Sequence, residues 1–379
     1  MAEVAVVGAG VIGLAVAREL ARTGVTDVVV LEREAAVARG STSRANGGFR
    51  AQFTTRPNIE FSRFSIAELE RVEAETGLCS LQQVGYLLMT GTEGGERGLR
   101  AAVELQRALG VPTEWLSPEE VLARVPFVRP DGLRAGTFHA RDGLLDPYGV
   151  ARAMEQQARA AGVRIVCGAE VRRIRRVAGG FELEHAGGFE RARWVVNAAG
   201  PDAREVAAML DVDVPVEPVR RNLAFAPAPP GEPIPMCVDL DTGVLVRREP
   251  AGGYVLAYSN PDDPPGRETS VDPRFFEDLA ARVGNRFPSL RELPIDPARS
   301  WAGLYPETPD HHAIVGPAPG VPGFVLCVGF GGHGIMHAPA AGRAVAELIT
   351  LGRCETFDLH PLRPERFAEG DLVVEAAVL

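Results

Sequence analysis

The chain has 379 residues, of which 46% are hydrophobic and 24% charged, enough for two domains and a sizeable core. Its formal net charge of −10 argues against nucleic acid or an anionic membrane as the main partner. Five scattered cysteines (Cys79, Cys167, Cys237, Cys327, Cys354) form no C-x-x-C pair, which points to reduced thiols in a cytoplasmic protein rather than a disulfide framework or a zinc site. All 40 basic residues are arginine, so no step can use a lysine amine.

The first elements are the most informative. An apolar run, Val4 to Val7, leads into Gly8-Ala9-Gly10-Val11-Ile12-Gly13, then a helical segment and a second apolar run, Val28 to Leu31, ending on Glu32. Strand, glycine turn, helix, strand and acid follow in the order a dinucleotide site requires. Gly8 turns the chain, Gly10 lets backbone approach a pyrophosphate, and Gly13 lets helix pack on strand. Phosphates would sit at the helix N-terminus, and Glu32 would accept hydrogen bonds from a ribose diol. A signal peptide or membrane span is not expected here, because the segment lacks a basic start, carries two interrupting glycines and is short.

Further along, Gly40 to Arg50 is a polar, glycine-rich loop suited to lie against phosphate or a flat ring. Helices are expected at Ile59–Thr76, closed by Gly77, at Glu96–Leu109, after Ser117-Pro118, and at Pro147–Ala161. Strands are expected at Val84–Met89, Ala135–His139, Val163–Val166, Glu170–Val177, Phe181–His185 and Arg191–Val196. The last of these leaves into the small-residue turn Asn197-Ala198-Ala199-Gly200-Pro201. Val214 to Tyr258 reads as an antiparallel lobe and Pro273–Arg286 as a helix. Phe324–Val328 reads as a strand entering Gly329-Phe330-Gly331-Gly332-His333-Gly334, with a final helix from Pro339 to Leu351. His311 and His312 are read as successive strand residues pointing to opposite faces, so no metal site is expected.

Four segments together resemble the FAD-dependent amine oxidoreductases of the D-amino-acid oxidase, glycine oxidase and sarcosine oxidase superfamily. They are the N-terminal motif, Val195 to Gly200, Gly303-Leu304-Tyr305-Pro306-Glu307-Thr308-Pro309-Asp310, and Gly329 to Met336; Asp142 to Pro147 also looks like the family's link into its middle helix. The likeness is nearest to the sarcosine oxidase β-subunit and proline dehydrogenase β-subunit branch. It implies an α/β fold, α+β overall, with a Rossmann-like FAD-binding domain formed by residues 1–80, 145–215 and 300–379. A discontinuous substrate domain on an antiparallel sheet would take residues 81–144 and 216–299. Glycine turns from three distant places suit an extended, buried FAD better than a nicotinamide cofactor.

The resemblance also implies site residues. Cofactor binding falls to Gly8, Gly10, Val11, Ile12, Gly13, Glu32, Arg33, Ser41, Thr42, Ser43, Val171, Ala199, Gly200, Gly303, Gly329, Gly331, Gly332, His333, Gly334, Ile335 and Met336. Arg50, with Arg44 behind it, would stabilise reduced flavin or anchor a substrate carboxylate. Tyr305 stands where sarcosine-oxidase-like members have a tyrosine and glycine-oxidase-like members a carboxylate-binding arginine; Tyr258 is a second aromatic candidate, and His333 would lie near the flavin. Gly303 replaces the cysteine that holds flavin covalently in monomeric sarcosine oxidases, so non-covalent FAD is expected. Met336 replaces a lysine associated with oxygen reactivity, which makes a dehydrogenase using another acceptor a serious expectation. The reading is oxidation of a small secondary or N-methyl amino acid, sarcosine- or proline-like, to an imine, with electrons passed to oxygen or another acceptor. Its alternatives are a glycine or D-amino acid oxidase, an electron-transfer subunit of a hetero-oligomer, and an NAD-binding protein without flavin; a homo- or hetero-oligomer is open.

Overall fold

The computed structural model describes residues 1–25, 27–260 and 262–376. Ala2–Val7 lies at the centre of the first sheet, between Val28–Leu31 and Gly188–Asn197, and pairs with both in parallel. Arg164–Val166 extends the sheet beyond Val28–Leu31, and Phe324–Val328 extends it beyond Gly188–Asn197, again in parallel. Ile314–Pro317 adds an antiparallel edge, and Val171–Val177 and Gly180–His185 fold back as an antiparallel flap on Gly188–Asn197.

The alternation of a strand explains its place in the core. Val4 and Val6 pack into the apolar cluster on one face, Ala5 and Val7 into the cluster on the other, and all four are buried. Helices Val11–Arg22, Arg56–Thr76, Pro147–Ala160 and Gly334–Leu351 cover the first face. The first and last of these approach so closely that a Cβ on Gly342 would lie 2.6 Å from the carbonyl oxygen of Ala15. Leaving the central strand, the chain passes to one side through Val11–Arg22, while Gly188–Asn197 enters on the other. That reversal opens a crevice at the carboxyl ends of the strands, where ligands bind in doubly wound sheets.

The second sheet runs in the order Asp296–Glu307, Glu217–Ala226, Tyr254–Tyr258, Val244–Arg248, Met236–Asp239, Tyr86–Thr90, Ala135–His139, Glu114–Leu116. It is antiparallel except where Met236–Asp239 runs parallel to Tyr86–Thr90. Helix Pro273–Arg286 packs on its outer face through Phe275, Leu279 and Val283.

Three expectations need correcting. The boundary expected at residue 300 falls inside Asp296–Glu307, which pairs with Glu217–Ala226 as part of the second sheet. The last helix starts at Gly334 rather than Pro339, because the Gly331–His333 turn continues directly into it and Pro339 lies inside its second turn. His311 and His312 occupy the turn between Asp296–Glu307 and Ile314–Pro317, with His311 at φ 58°, so they are not strand residues.

Candidate active site

The crevice is a cavity of about 710 Å³ that runs from the strand ends of the first sheet to the inner face of the second. At one end the chain turns sharply at Gly8 (φ 104°), where a Cβ would lie 2.6 Å from the carbonyl oxygen of Ala198. Gly13 faces Gly8 rather than the cavity, and a Cβ there would lie 1.9 Å from the Gly8 carbonyl oxygen. Gly10 caps helix Val11–Arg22 without a side chain, leaving its amino end open to the crevice. Val11 N–H donates to Thr42 Oγ1 at 3.1 Å. Glu32 is buried, and its carboxylate accepts from Ala9 N (2.6 Å) and Glu34 N (2.9 Å). Arg33 reaches Asp202 at 2.8 Å beside the Gly200 turn.

The loop expected at Gly40–Arg50 is pinned to the second sheet. Ser41 Oγ donates to Leu304 O (2.7 Å), Arg44 Nη1 to Ala302 O (3.0 Å), and Trp301 Nε1 to Arg44 O (2.9 Å). A Cβ on Gly303 would lie 3.0 Å from Arg44 Cβ, a tight contact that a larger residue could make only if the Arg44 segment shifted by a few tenths of an ångström. Ser43 is a correction: its hydroxyl bonds back to Gly40 O at 3.3 Å and it does not line the cavity.

Side chains from strands Asp296–Glu307, Glu217–Ala226, Tyr254–Tyr258, Val244–Arg248 and Tyr86–Thr90 form the roof. Their registers place Tyr305, Gly303, Arg221, Leu223, Ala257, Leu245 and Tyr86 along the cavity. Tyr305 is wedged against the turn after Phe324–Val328, where a Cβ on Gly332 would lie 2.5 Å from its ring. Burial raises its phenol pKa, keeping it a neutral hydroxyl. Tyr258 also borders the cavity, but it falls on the other phase of its strand: its ring stacks on Phe275 at 5.3 Å and its hydroxyl donates to Asp278 Oδ2 at 3.1 Å, toward the helix-facing core.

Arg50 lies in the wall, fully buried, with its guanidinium 3.9 Å from the Phe53 ring centroid and Nη1 donating to Gln52 O. Burial lowers its pKa, opposed by Tyr86, Glu375 and Asp142. Asp142 holds this segment from behind: it accepts from Ala51 N (2.8 Å) and Gln52 Nε2 (3.1 Å), and His139 Nδ1 lies 2.6 Å from it. His333 caps the last helix and meets Phe53 edge-on at 4.9 Å. Burial, then the charge of Arg50, pulls its pKa well below the usual imidazole value, so it is neutral at neutral pH. Its neighbour His337, buried and 3.0 Å from Ser62 Oγ, is held neutral in the same way.

Most of the expected residues thus meet along one cavity; Gly13 and Ser43 stand outside it. Arg221 and Tyr86 went unnoticed in the sequence, since only the strand register shows that they share a face with Tyr305. Met336, buried, lines the same end.

A topological crevice, a glycine turn at a helix amino end and an acidic strand terminus define a dinucleotide-binding enzyme of the doubly wound class. The chain matches the family model DAO, FAD dependent oxidoreductase, over residues 3–348 and belongs to that family, with FAD as its cofactor. Among curated proteins it is 30% identical to FAD-dependent oxidoreductase domain-containing protein 1 of Bos taurus, covering all of this chain and 87% of that protein. It is also 30% identical to mitochondrial dimethylglycine dehydrogenase of Rattus norvegicus, over 97% of this chain and 45% of that protein. Among solved structures it is similar to L-proline dehydrogenase from P. horikoshii, with a TM-score of 0.91 and 28% identity over 98% of this chain and 99% of that one. Among the described residues no helix is long and apolar enough to cross a membrane.

Proposed function

We propose that this protein is a dehydrogenase that oxidises the C–N bond of a small secondary or N-methyl amino acid, sarcosine- or proline-like, to the imine. The observation that carries the reading is the segregation of groups in the cavity. The carboxylates lining it, Glu32, Glu34, Glu170, Asp202 and Glu205, lie in the segments that follow the carboxyl ends of the first sheet's strands, Glu205 on the short helix Ala203–Ala208. The roof and far wall present Arg50, Arg221, Tyr86, Tyr305 and the neutral His333. That end suits a carboxylate-bearing amine: the acidic groups near it, Asp263 and Glu307, lie against Arg221.

Bound FAD supplies the acceptor for a hydride equivalent from the carbon beside nitrogen. Gly8, Gly10, Ile12, Glu32, Thr42 and Gly200 would hold the nucleotide half, and the Gly329–Met336 turn the ring. With glycine at 303 the attachment there is non-covalent. Tyr305 and Arg50 orient the amine, and the buried wall excludes water. No general base is required when the amine binds neutral. Met336 and the neutral His333 bring no cation to that end and the chain has no lysine, so electrostatic help to oxygen would have to come from an arginine such as Arg50; on this ground we favour an acceptor other than oxygen. The names dimethylglycine dehydrogenase and proline dehydrogenase among the relatives support the substrate class.

Anaerobic titration of the yellow holoprotein with proline, sarcosine, dimethylglycine, glycine and D-alanine tests this reading. Bleaching by the secondary or N-methyl compounds in preference to the primary amines is expected. Equal or faster bleaching by glycine or D-alanine would overturn it.

A further inference from the structure

We propose that Arg221 is the residue that takes the substrate's carboxylate, with Glu307 behind it as a fixed counter-charge. The assignment rests on the amino-acid reading given above. Arg221 stands directly opposite Gly303 in the sheet, beside Tyr305, and its side chain lines the cavity while only 12% exposed. Its guanidinium carbon lies 5.6 Å from the Tyr305 ring centroid.

The guanidinium is only loosely held. Nη1 reaches Asp263 Oδ2 at 3.4 Å and Arg220 O at 3.3 Å, while Nη2 is 3.8 Å from Glu307 Oε1, beyond hydrogen-bond distance. Among the described residues, Arg221 Nε and Glu307 Oε1 are both buried with no hydrogen-bond partner. The other Glu307 oxygen faces His311 Nδ1 at 3.2 Å. Glu307 therefore supplies compensating charge without closing the guanidinium fork. A carboxylate fits that fork through two parallel N–H···O bonds, in place of the long Asp263 contact on Nη1.

Packing keeps the trio in place. A Cβ on Gly332 would strike the Tyr305 ring, and one on Gly331 would lie 3.0 Å from Glu307 Oε2, so the glycine turn and the Arg221–Glu307–Tyr305 group are fitted to each other. Arg50 is engaged differently, with its face on Phe53 and Nη1 on the Gln52 carbonyl.

The test is a spectral titration of the holoprotein with acetate, read as the flavin difference spectrum and independent of turnover. Arg221→Gln is expected to weaken acetate binding by about tenfold or more, the loss of one charge-assisted bidentate contact. Arg221→Lys, which keeps the charge and guards against misfolding, is expected to fall between wild type and Arg221→Gln. In turnover, Arg221→Gln is expected to raise KM for sarcosine or proline more than it lowers kcat. Wild-type acetate affinity in both variants, or a loss confined to Arg50→Gln, overturns the assignment. If no carboxylated amine bleaches the wild type, the functional reading fails, while the acetate titration still reports on Arg221.

Discussion

Tyr305 and Tyr258 show what a residue's neighbours decide. Both are aromatic, both lie in the second sheet, and both are plausible cavity residues in the sequence. Strand phase separates them: Tyr305 shares a face with Arg221, while Tyr258 shares one with Tyr254 and Leu256 and packs on Phe275. Tyr305→Phe is expected to raise KM several-fold, whereas Tyr258→Phe changes KM little and lowers stability by about 1 kcal/mol, the worth of one hydrogen bond. Steady-state kinetics and thermal melts of the two variants separate these outcomes. At Gly332, alanine would place its Cβ against the Tyr305 ring, at 2.5 Å. That overpacking is expected to cost about 1–3 kcal/mol and to lower flavin retention, measured as flavin released on dilution. The buried imidazoles make a pH prediction. His333 and His337 have folded-state pKa values well below 6.5, so the unfolded chain binds more protons under acid conditions. Their contribution is complete above pH 6.5 and is lost as pH falls below it, by up to about 1.4 kcal/mol per pH unit for each group. Melting temperature against pH should therefore fall on the acid side of 6.5, and His337→Gln should make that limb shallower.

Elements were legible where local chemistry defines them. The αL cap at Gly77, the Ser117–Glu120 capping box and the strand–turn–helix at the amino end all carry their signals in a few adjacent residues. The last helix starts earlier than its proline suggests, for a physical reason. Proline favours the first helical turn, so Pro339 reads as a start, yet here the helix begins at Gly334 and accepts the loss of one N–H inside it. Least legible was the segment Asp371–Ala376, which carries no periodic signal. Its Glu375 is buried and accepts from Thr54 N (3.0 Å), Thr55 Oγ1 (2.7 Å) and Asn58 Nδ2 (3.1 Å). Thr55 Oγ1 also lies 2.8 Å from His312 Nε2, so this segment braces the chain that follows Arg50. Glu375→Ala leaves several donors without an acceptor and is expected to cost about 1–3 kcal/mol and to slow flavin reduction. Denaturant unfolding and stopped-flow bleaching measure the two effects.

At the scale of the whole molecule, the site is a seam between two sheets drawn from distant parts of the chain. Strand Asp296–Glu307 belongs to the second sheet, and the chain then returns to the first through Ile314–Pro317 and Phe324–Val328. Glycine motifs mark the contributions from the first sheet, so its half of the cavity could be read from the sequence. The roof could not, because alternation identifies a strand's two faces and leaves unstated which face meets the ligand. The missing lysine is a property of the entire chain, and the proposed dehydrogenase reading rests in part on it. Anaerobically reduced protein is accordingly expected to recolour slowly in air and rapidly with an artificial dye acceptor; fast recolouring with stoichiometric peroxide would show an oxidase.

The central claim is that flavin is reduced by breaking a C–H bond beside the nitrogen of a secondary amino acid. Anaerobic stopped-flow bleaching by sarcosine or proline deuterated at that carbon measures this directly. A several-fold slower bleaching than with the protiated compound is the expected result; equal rates, or no bleaching by either compound, would contradict the claim.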